Sequence, residues 1–195
     1  CDDGNNSSGD RCSPDCSYES ILSGHGSLED APPEKVSCAE GSVAVGFGIA
    51  ELGGGVCMVC REFDGVNLGG IQTISNQGFQ CGALQNPVRC DRAADGTIAS
   101  DGVLVGLQTS VTQQGSIRGY AAICQTIEDA LVSSLSSSYS RVGEPVDPGN
   151  FREDRCVGGT FVGGFNFYGE NAPSTGLEFT CLPWCESGIT DECGV

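Results

Sequence analysis

The chain has 195 residues, with 13 Cys, a single His, and 26 acidic against 9 basic residues for a net charge of −17. That charge repels phosphate backbones and anionic lipid, which argues against nucleic-acid and membrane-surface binding, and the cysteine density argues against a reducing compartment. One Cys-x-x-Cys pair, Cys57 and Cys60, with the lone His25 falls short of a structural zinc ligand set, and no run approaches the ~18 apolar residues of a membrane helix. The length suits one domain with a real core, to which bridges add stability. The sequence opens on Cys1 and its one methionine is Met58, so the expectation is a product processed from a longer precursor, secreted or displayed at the cell surface.

Residues 1–37 read as a Cys-rich N-terminal segment. Cys1-Asp-Asp-Gly-Asn5, then Gly9-Asp10, Cys12-Ser13 and Cys16 closely resemble the second half of the Myxococcus cysteine-rich repeat. That family is found on bacterial surface and secreted proteins, and the resemblance implies no catalytic role. Cys1 has two explanations. It is the acylated Cys of a lipoprotein, or it bridges to another chain or to a removed upstream segment; either accounts for an odd cysteine count. Asp2, Asp3, Asn5 and Asp10 lie in a short Gly-broken loop of hard oxygen ligands and form a candidate calcium site, although the spacing is not that of an EF-hand. Calcium is the one cofactor expected, if any.

From residue 38 onward the chain repeats itself. Cys38 to Cys60, Asp101 to Cys124 and Cys156 to Cys181 each carry a β-like run with an internal Gly, a Gly-rich or polar loop, and a second apolar run ending on Cys. The aligned glycines Gly46, Gly106 and Gly164 are 60 and 58 residues apart. Alternation at Val43, Val45 and Phe47, or at Phe161, Phe165 and Phe167, predicts hairpins with a buried face. The recurrent Gly predicts a bulge or a close backbone approach. Bridges are expected at Cys38–Cys60, Cys90–Cys124 and Cys156–Cys181, each within one unit. Cys57 is then left for Cys81, and Cys12, Cys16, Cys185 and Cys193 for the chain ends. Residues 126–155 interrupt the rhythm. Glu128-Asp-Ala-Leu-Val starts a short helix, and Ser133 to Pro148 reads as a surface insertion.

The pattern of Cys, Gly-hydrophobe and closing Cys over residues 38–181 resembles the vitelline membrane outer layer proteins. The resemblance implies a β-prism of three pseudo-repeated Greek-key or hairpin units. An all-β sandwich or barrel is the alternative from pattern alone. The organisation expected is a Cys-rich segment over 1–37, a three-repeat β domain over 38–185 (units 38–89, 90–155 and 156–185), and a tail over 186–195. The family's Trp-rich segments are not present, and Trp184 is the only tryptophan.

Catalytic signatures are missing. There is no Gly-x-Ser-x-Gly, no His-Glu-x-x-His and no phosphate-cradling loop. His25 lies in Ser-Gly-His-Gly-Ser, which reads as a solvated turn, and Cys57-x-x-Cys60 lies in a strand-like run rather than at a helix start. The expected function is therefore non-enzymatic: an extracellular structural subunit that partners itself or other surface proteins. The alternative is a carbohydrate-binding module, with Tyr120, Asn166, Tyr168, Asn171 and Trp184 as candidate ligand contacts.

Overall fold

A computed structural model describes residues 23–26, 34–39, 41–49, 55–75, 87–92, 101–111, 117–131, 140–144, 151–156, 160–168 and 176–183. The three repeated runs fold as three hairpins: β3 (Ser42–Ile49) with β4 (Val56–Phe63), β7 (Gly102–Val111) with β8 (Ile117–Thr126), and β11 (Thr160–Tyr168) with β12 (Gly176–Pro183). Their Val, Ile, Phe and Leu content suits a pleated, packed surface. Between them run β1 (Ser23–Gly26), β2 (Glu34–Ser37), β5 (Leu68–Ser75), β6 (Val88–Arg89), β9 (Ser140–Glu144) and β10 (Phe151–Arg155), with one short helix, α1 (Ile127–Leu131). Helix α1 starts where the Asp129 N–H donates to Thr126 Oγ1 at 3.2 Å, a side-chain cap on an acidic first turn.

The repeated glycine has one structural meaning in all three copies. Each hairpin shifts register by one residue at Ala44/Gly46, Leu104/Gly106 and Val162/Gly164. The bulge turns the carbonyl of the extra residue sideways. Val45, Val105 and Gly163 then accept the N–H of Cys90, Cys156 and Cys38, at 2.7, 2.7 and 3.0 Å. A neighbouring strand runs close over the glycine itself, tightly at Gly106 and Gly46 and more loosely at Gly164, where a Cβ would lie 3.2 Å from Val36 O. A Cβ on Gly106 would lie 2.5 Å from Asp154 O and 2.9 Å from Arg155 Cα, and one on Gly46 would lie 2.4 Å from Val88 O. Both features expected of the glycine, bulge and close approach, occur together.

Each sheet has four antiparallel strands, in the orders β6-β3-β4-β5, β10-β7-β8-β9 and β2-β11-β12-β1. The first two are Greek keys, in which three strands meander and a fourth returns beside the first, and the third has the same strand layout with its chain order permuted. The first two sheets are built from consecutive strands. The third takes its hairpin from residues 160–183 and its other two strands from residues 23–37, so the two ends of the described chain meet in it. Ser23–Gly26 and Glu34–Ser37, grouped by sequence with the Cys-rich segment, thus contribute to the β architecture, and His25 lies in a strand rather than a turn. The insertion reading of 126–155 also needs correction. Ser140–Glu144 and Phe151–Arg155 are strands of the second sheet. Four of the five residues of β10 are charged because β10 is a sheet edge, where charge blocks further pairing.

The bridges Cys38–Cys60, Cys90–Cys124 and Cys156–Cys181 are formed. The sequence period makes each a staple within one unit, but each leading Cys follows a strand of the preceding sheet. Cys38 leaves β2 of the third sheet and joins β4 of the first. Cys90 leaves β6 of the first and joins β8 of the second, and Cys156 leaves β10 of the second and joins β12 of the third. The three bridges therefore link the three sheets in a ring. Cys57 is also disulfide-bonded, and its expected partner Cys81 lies outside the described residues.

Strands β3, β7 and β11 pack on one another at the centre. The residues following the three glycines, Phe47, Leu107 and Phe165, share one core cluster, with the Phe47 and Phe165 rings 5.3 Å apart. Val43, Val103 and Phe161, three residues before the glycines, share a second cluster with Ile127 and Ala130 of α1. Full burial of such a side chain contributes roughly 1.5–3 kcal/mol. Gly106→Ala is expected to destabilise the fold by about 1–3 kcal/mol, because the new methyl meets backbone that must move. Gly163→Ala meets only the Leu182 side chain, at 2.2 Å from Cδ1 and 2.4 Å from Cγ, and is expected to cost clearly less, since a rotamer change relieves it. Paired denaturant melts check the order, and equal losses would mean that the approach of β10 is slack.

Candidate functional site

The central hairpin of the third sheet brings two of the sequence candidates together. Along β11 and β12 the buried residues Phe165, Phe167, Leu177 and Phe179 alternate with half-buried ones on the opposite face. That opposite face carries Asn166, Tyr168 and Glu178. Asn166 is paired in register with Glu178 on one side and with Lys35 of β2 on the other, and Tyr168 ends β11 at the mouth of the hairpin loop. The Tyr168 hydroxyl donates to Glu178 Oε2 at 2.7 Å, and Asn166 Nδ2 donates to the same oxygen at 3.4 Å. The carboxylate is thus aimed by two neutral donors and keeps its other oxygen for a further partner.

This arrangement also fixes the state of the phenol. The hydrogen bond to Glu178, then burial, then the carboxylate charge push the Tyr168 pKa up to about 12. The folded pKa is raised above the unfolded value of 10.0. The contact therefore contributes stability that is fully present below about pH 10 and is lost as pH rises through about 12. In a phenolate absorbance titration, one of the four tyrosines is expected to ionise near 12, and that step should vanish in Tyr168→Phe. If the variant's titration curve keeps its most alkaline step, the Glu178 contact is not made in solution.

The remaining candidates lie elsewhere. Tyr120 is on β8 of the second sheet, with its ring 5.1 Å from Phe47 in the core; it supports packing and is not part of the Asn166 cluster. Asn171 and Trp184 lie outside the described residues, as do Asp2, Asp3, Asn5 and Asp10 of the candidate calcium loop and Cys1, Cys12, Cys16, Cys185 and Cys193. Among the described residues, no group of three or more His, Cys, Asp or Glu side chains is gathered to hold a metal, and no helix is long and apolar enough to cross a membrane. Sequence reasoning does not single out Glu178. The signal is present in principle, since counting the hairpin register back from the closing Cys181 sets residue 178 opposite Asn166.

A second polar cluster has no counterpart among the sequence candidates. Asp91, just past β6, is fully buried. Arg89 donates to it from Nε at 2.7 Å and from Nη2 at 2.5 Å, a bidentate pair. Arg61 Nη1 stands 3.7 Å from the same carboxylate, while Arg61 Nε and Nη2 reach the carbonyls of Gly69 and Leu68 at 2.9 and 2.8 Å. The cluster clamps β6, β4 and the start of β5 where the chain leaves the first sheet, which makes it structural.

These features define a disulfide-linked all-β protein of three sheets of Greek-key layout around a shared core, in the manner of a β-prism. No family model matches the sequence, and no curated protein does. Among solved structures, wild-type Malaysian banana lectin is similar over 85% of this chain and 99% of its own, at 10% identity and a TM-score of 0.42. At that level nothing of that protein's activity transfers to this chain.

Proposed function

We propose that this chain is a non-enzymatic glycan-binding module of a secreted or surface-displayed protein, with Asn166, Tyr168 and Glu178 as its contact surface. The observation that carries this reading is the Glu178 carboxylate held by Tyr168 and Asn166 on the outer side of the third sheet. An aligned carboxylate with a spare oxygen accepts sugar hydroxyls, the neighbouring amide adds a donor and an acceptor, and a phenol ring offers an apolar face. A tyrosine held protonated serves as a donor, not as a nucleophile. The net charge of −17 disfavours sulfated and uronate-rich glycans, so neutral and amino sugars are the class expected. Bridged cysteines suit an oxidising compartment, taken here as the cell exterior. Calcium in the Asp2, Asp3, Asn5 and Asp10 loop is part of the proposal. A glycan array probed with and without calcium tests it. Binding to neutral or amino sugars that falls in Glu178→Gln and Tyr168→Phe, with melting temperatures close to wild type, supports the reading. A blank array in both conditions overturns it.

A second reading, a subunit of an extracellular assembly, is favoured by a different surface, the exposed edge strand β5.

A further inference from the structure

Among the described residues, six strands form the sheet edges: β1, β2, β5, β6, β9 and β10. Natural proteins blunt edges by keeping them short or charging them, and five of the six follow that rule. β6 has two residues, β1 and β2 have four, and β9 and β10 have five. β2 carries Glu34 and Lys35, β9 carries Arg141 and Glu144, and β10 carries Arg152, Glu153, Asp154 and Arg155. β5 does neither. It has eight residues, Leu-Gly-Gly-Ile-Gln-Thr-Ile-Ser, with no charge and no Pro. It lies in the uncharged stretch between Asp64 and Arg89, the longest in the sequence. Residues 69–73 are all exposed, so both faces of the strand meet solvent there, and Ile71 is 49% exposed. Arg61 already occupies the carbonyls of Leu68 and Gly69, which among the described residues leaves Gly70–Ser75 as the stretch open to pairing.

We propose that β5 is a self-pairing edge: two copies of this chain join antiparallel along Gly70–Ser75, fusing their first sheets into one continuous sheet. The charge pattern selects this occupant. At a net charge of −17, most contacts between copies bring like charges together, whereas β5 itself carries none. The nearest carboxylate, Glu62 of β4, lies over Gly69 and Gly70, and antiparallel pairing along Gly70–Ser75 keeps the two copies' Glu62 at opposite ends of the contact. Direction follows from the flanks. Asp64 precedes the strand and its carboxylate accepts the Val66 and Asn67 N–H groups at 2.9 and 2.7 Å. Parallel pairing sets the two Asp64 carboxylates at the same end; antiparallel pairing sets each near the uncharged Ser75 end of the other copy. A two-fold antiparallel contact is isologous and closes at a dimer. It supplies the contact for the assembly reading and is independent of glycan binding on the third sheet.

The test is light scattering of the full oxidised chain across a concentration series at low and high salt, with amide hydrogen exchange on the same samples. The expected result is a non-covalent dimer that strengthens with salt as the like net charges are screened, with β5 amides protected in proportion to dimer. Ile71→Lys and Ile71→Glu, at an exposed site that folding tolerates, should each weaken dimerisation about tenfold or more. Val66→Lys, in the turn before β5 where the side chain is 76% exposed, should leave it unchanged. A monomer at every salt and concentration overturns the proposal. So does a dimer that ignores both Ile71 variants while β5 exchange stays independent of concentration. Retained glycan binding by monomeric Ile71→Lys would separate this contact from the sugar-binding reading.

Discussion

Replacing Asp91 with Ala is expected to destabilise the fold by about 3–5 kcal/mol, the range for removing one partner of a buried ion pair. The carboxylate is completely buried, and the side chains of Arg61 and Arg89 are only 14% and 12% exposed. Without Asp91 two desolvated cations face each other with no counter-charge between them. Arg61 cannot swing to solvent without giving up the carbonyls of Leu68 and Gly69, so relaxation is restricted. Asp91→Asn preserves shape and one acceptor but not the charge, and should fall between wild type and Asp91→Ala. The discriminating measurement is a double-mutant cycle in urea. If the orphaned cation causes the loss, Arg89→Ala in the Asp91→Ala background should cost less than Arg89→Ala alone. Strict additivity, or an Asp91→Ala loss within about 1 kcal/mol of an ordinary surface change, would show that the cluster does not clamp the sheet.

The parts of this structure that are legible in the sequence are those whose cause is local. Gly46, Gly106 and Gly164 each sit where a bulged hairpin meets a crossing strand, so the same residue recurs two positions after the one paired with the closing Cys. The bridges of the first and third copies follow from a leading Cys eight residues before the glycine, and that of the second once an insertion of eight is allowed after Cys90. What stays hidden depends on neighbours distant in sequence. β1 reads as a turn because Gly24, His25 and Gly26 have no intrinsic strand preference; pairing with Leu177 and Glu178 of β12 makes it a strand. β10 reads as a loop because an edge strand carries the charges that core strands lack. Asp91, in Arg89-Cys-Asp-Arg92, carries no sequence signal for its burial, which the packing of Arg89 and Arg61 around it creates. Of the candidate site, Asn166 and Tyr168 stand out as polar and aromatic residues near a loop, whereas Glu178 joins them through hairpin register. The exchange of leading strands is invisible for a related reason. Sequence period places each leading Cys at the head of its own unit, while space places it at the end of the sheet before.

That exchange makes the effect of removing two bridges depend on which two are removed. In the chain-entropy account, loops of 22 and 25 residues, the separations for Cys38–Cys60 and Cys156–Cys181, are each worth about 3 kcal/mol. The 34-residue separation for Cys90–Cys124 is worth slightly more, about 4 kcal/mol. Any single removal leaves all three sheets linked in a line. Removing Cys90–Cys124 and Cys156–Cys181 unlinks the second sheet, whose four strands are consecutive and joined through their own connections. Removing Cys38–Cys60 and Cys156–Cys181 unlinks the third sheet, whose strands come from opposite ends of the described chain. Against a total stability of about 5–15 kcal/mol, the second pair is expected to open the third sheet as a unit while the bridged first and second sheets stay closed. Hydrogen exchange on the two four-Cys-to-Ala variants reads this directly. In the variant lacking both bridges to the third sheet, amides of β1, β2, β11 and β12 should lose protection well before those of β3, β4, β7 and β8. In the other variant, β7 to β10 should lose less, although its removed bridges span the larger summed loop. Equal loss in both, spread evenly over three sheets, would mean that the core of Phe47, Leu107 and Phe165 holds the sheets as one cooperative unit and that the ring of bridges adds only to total stability.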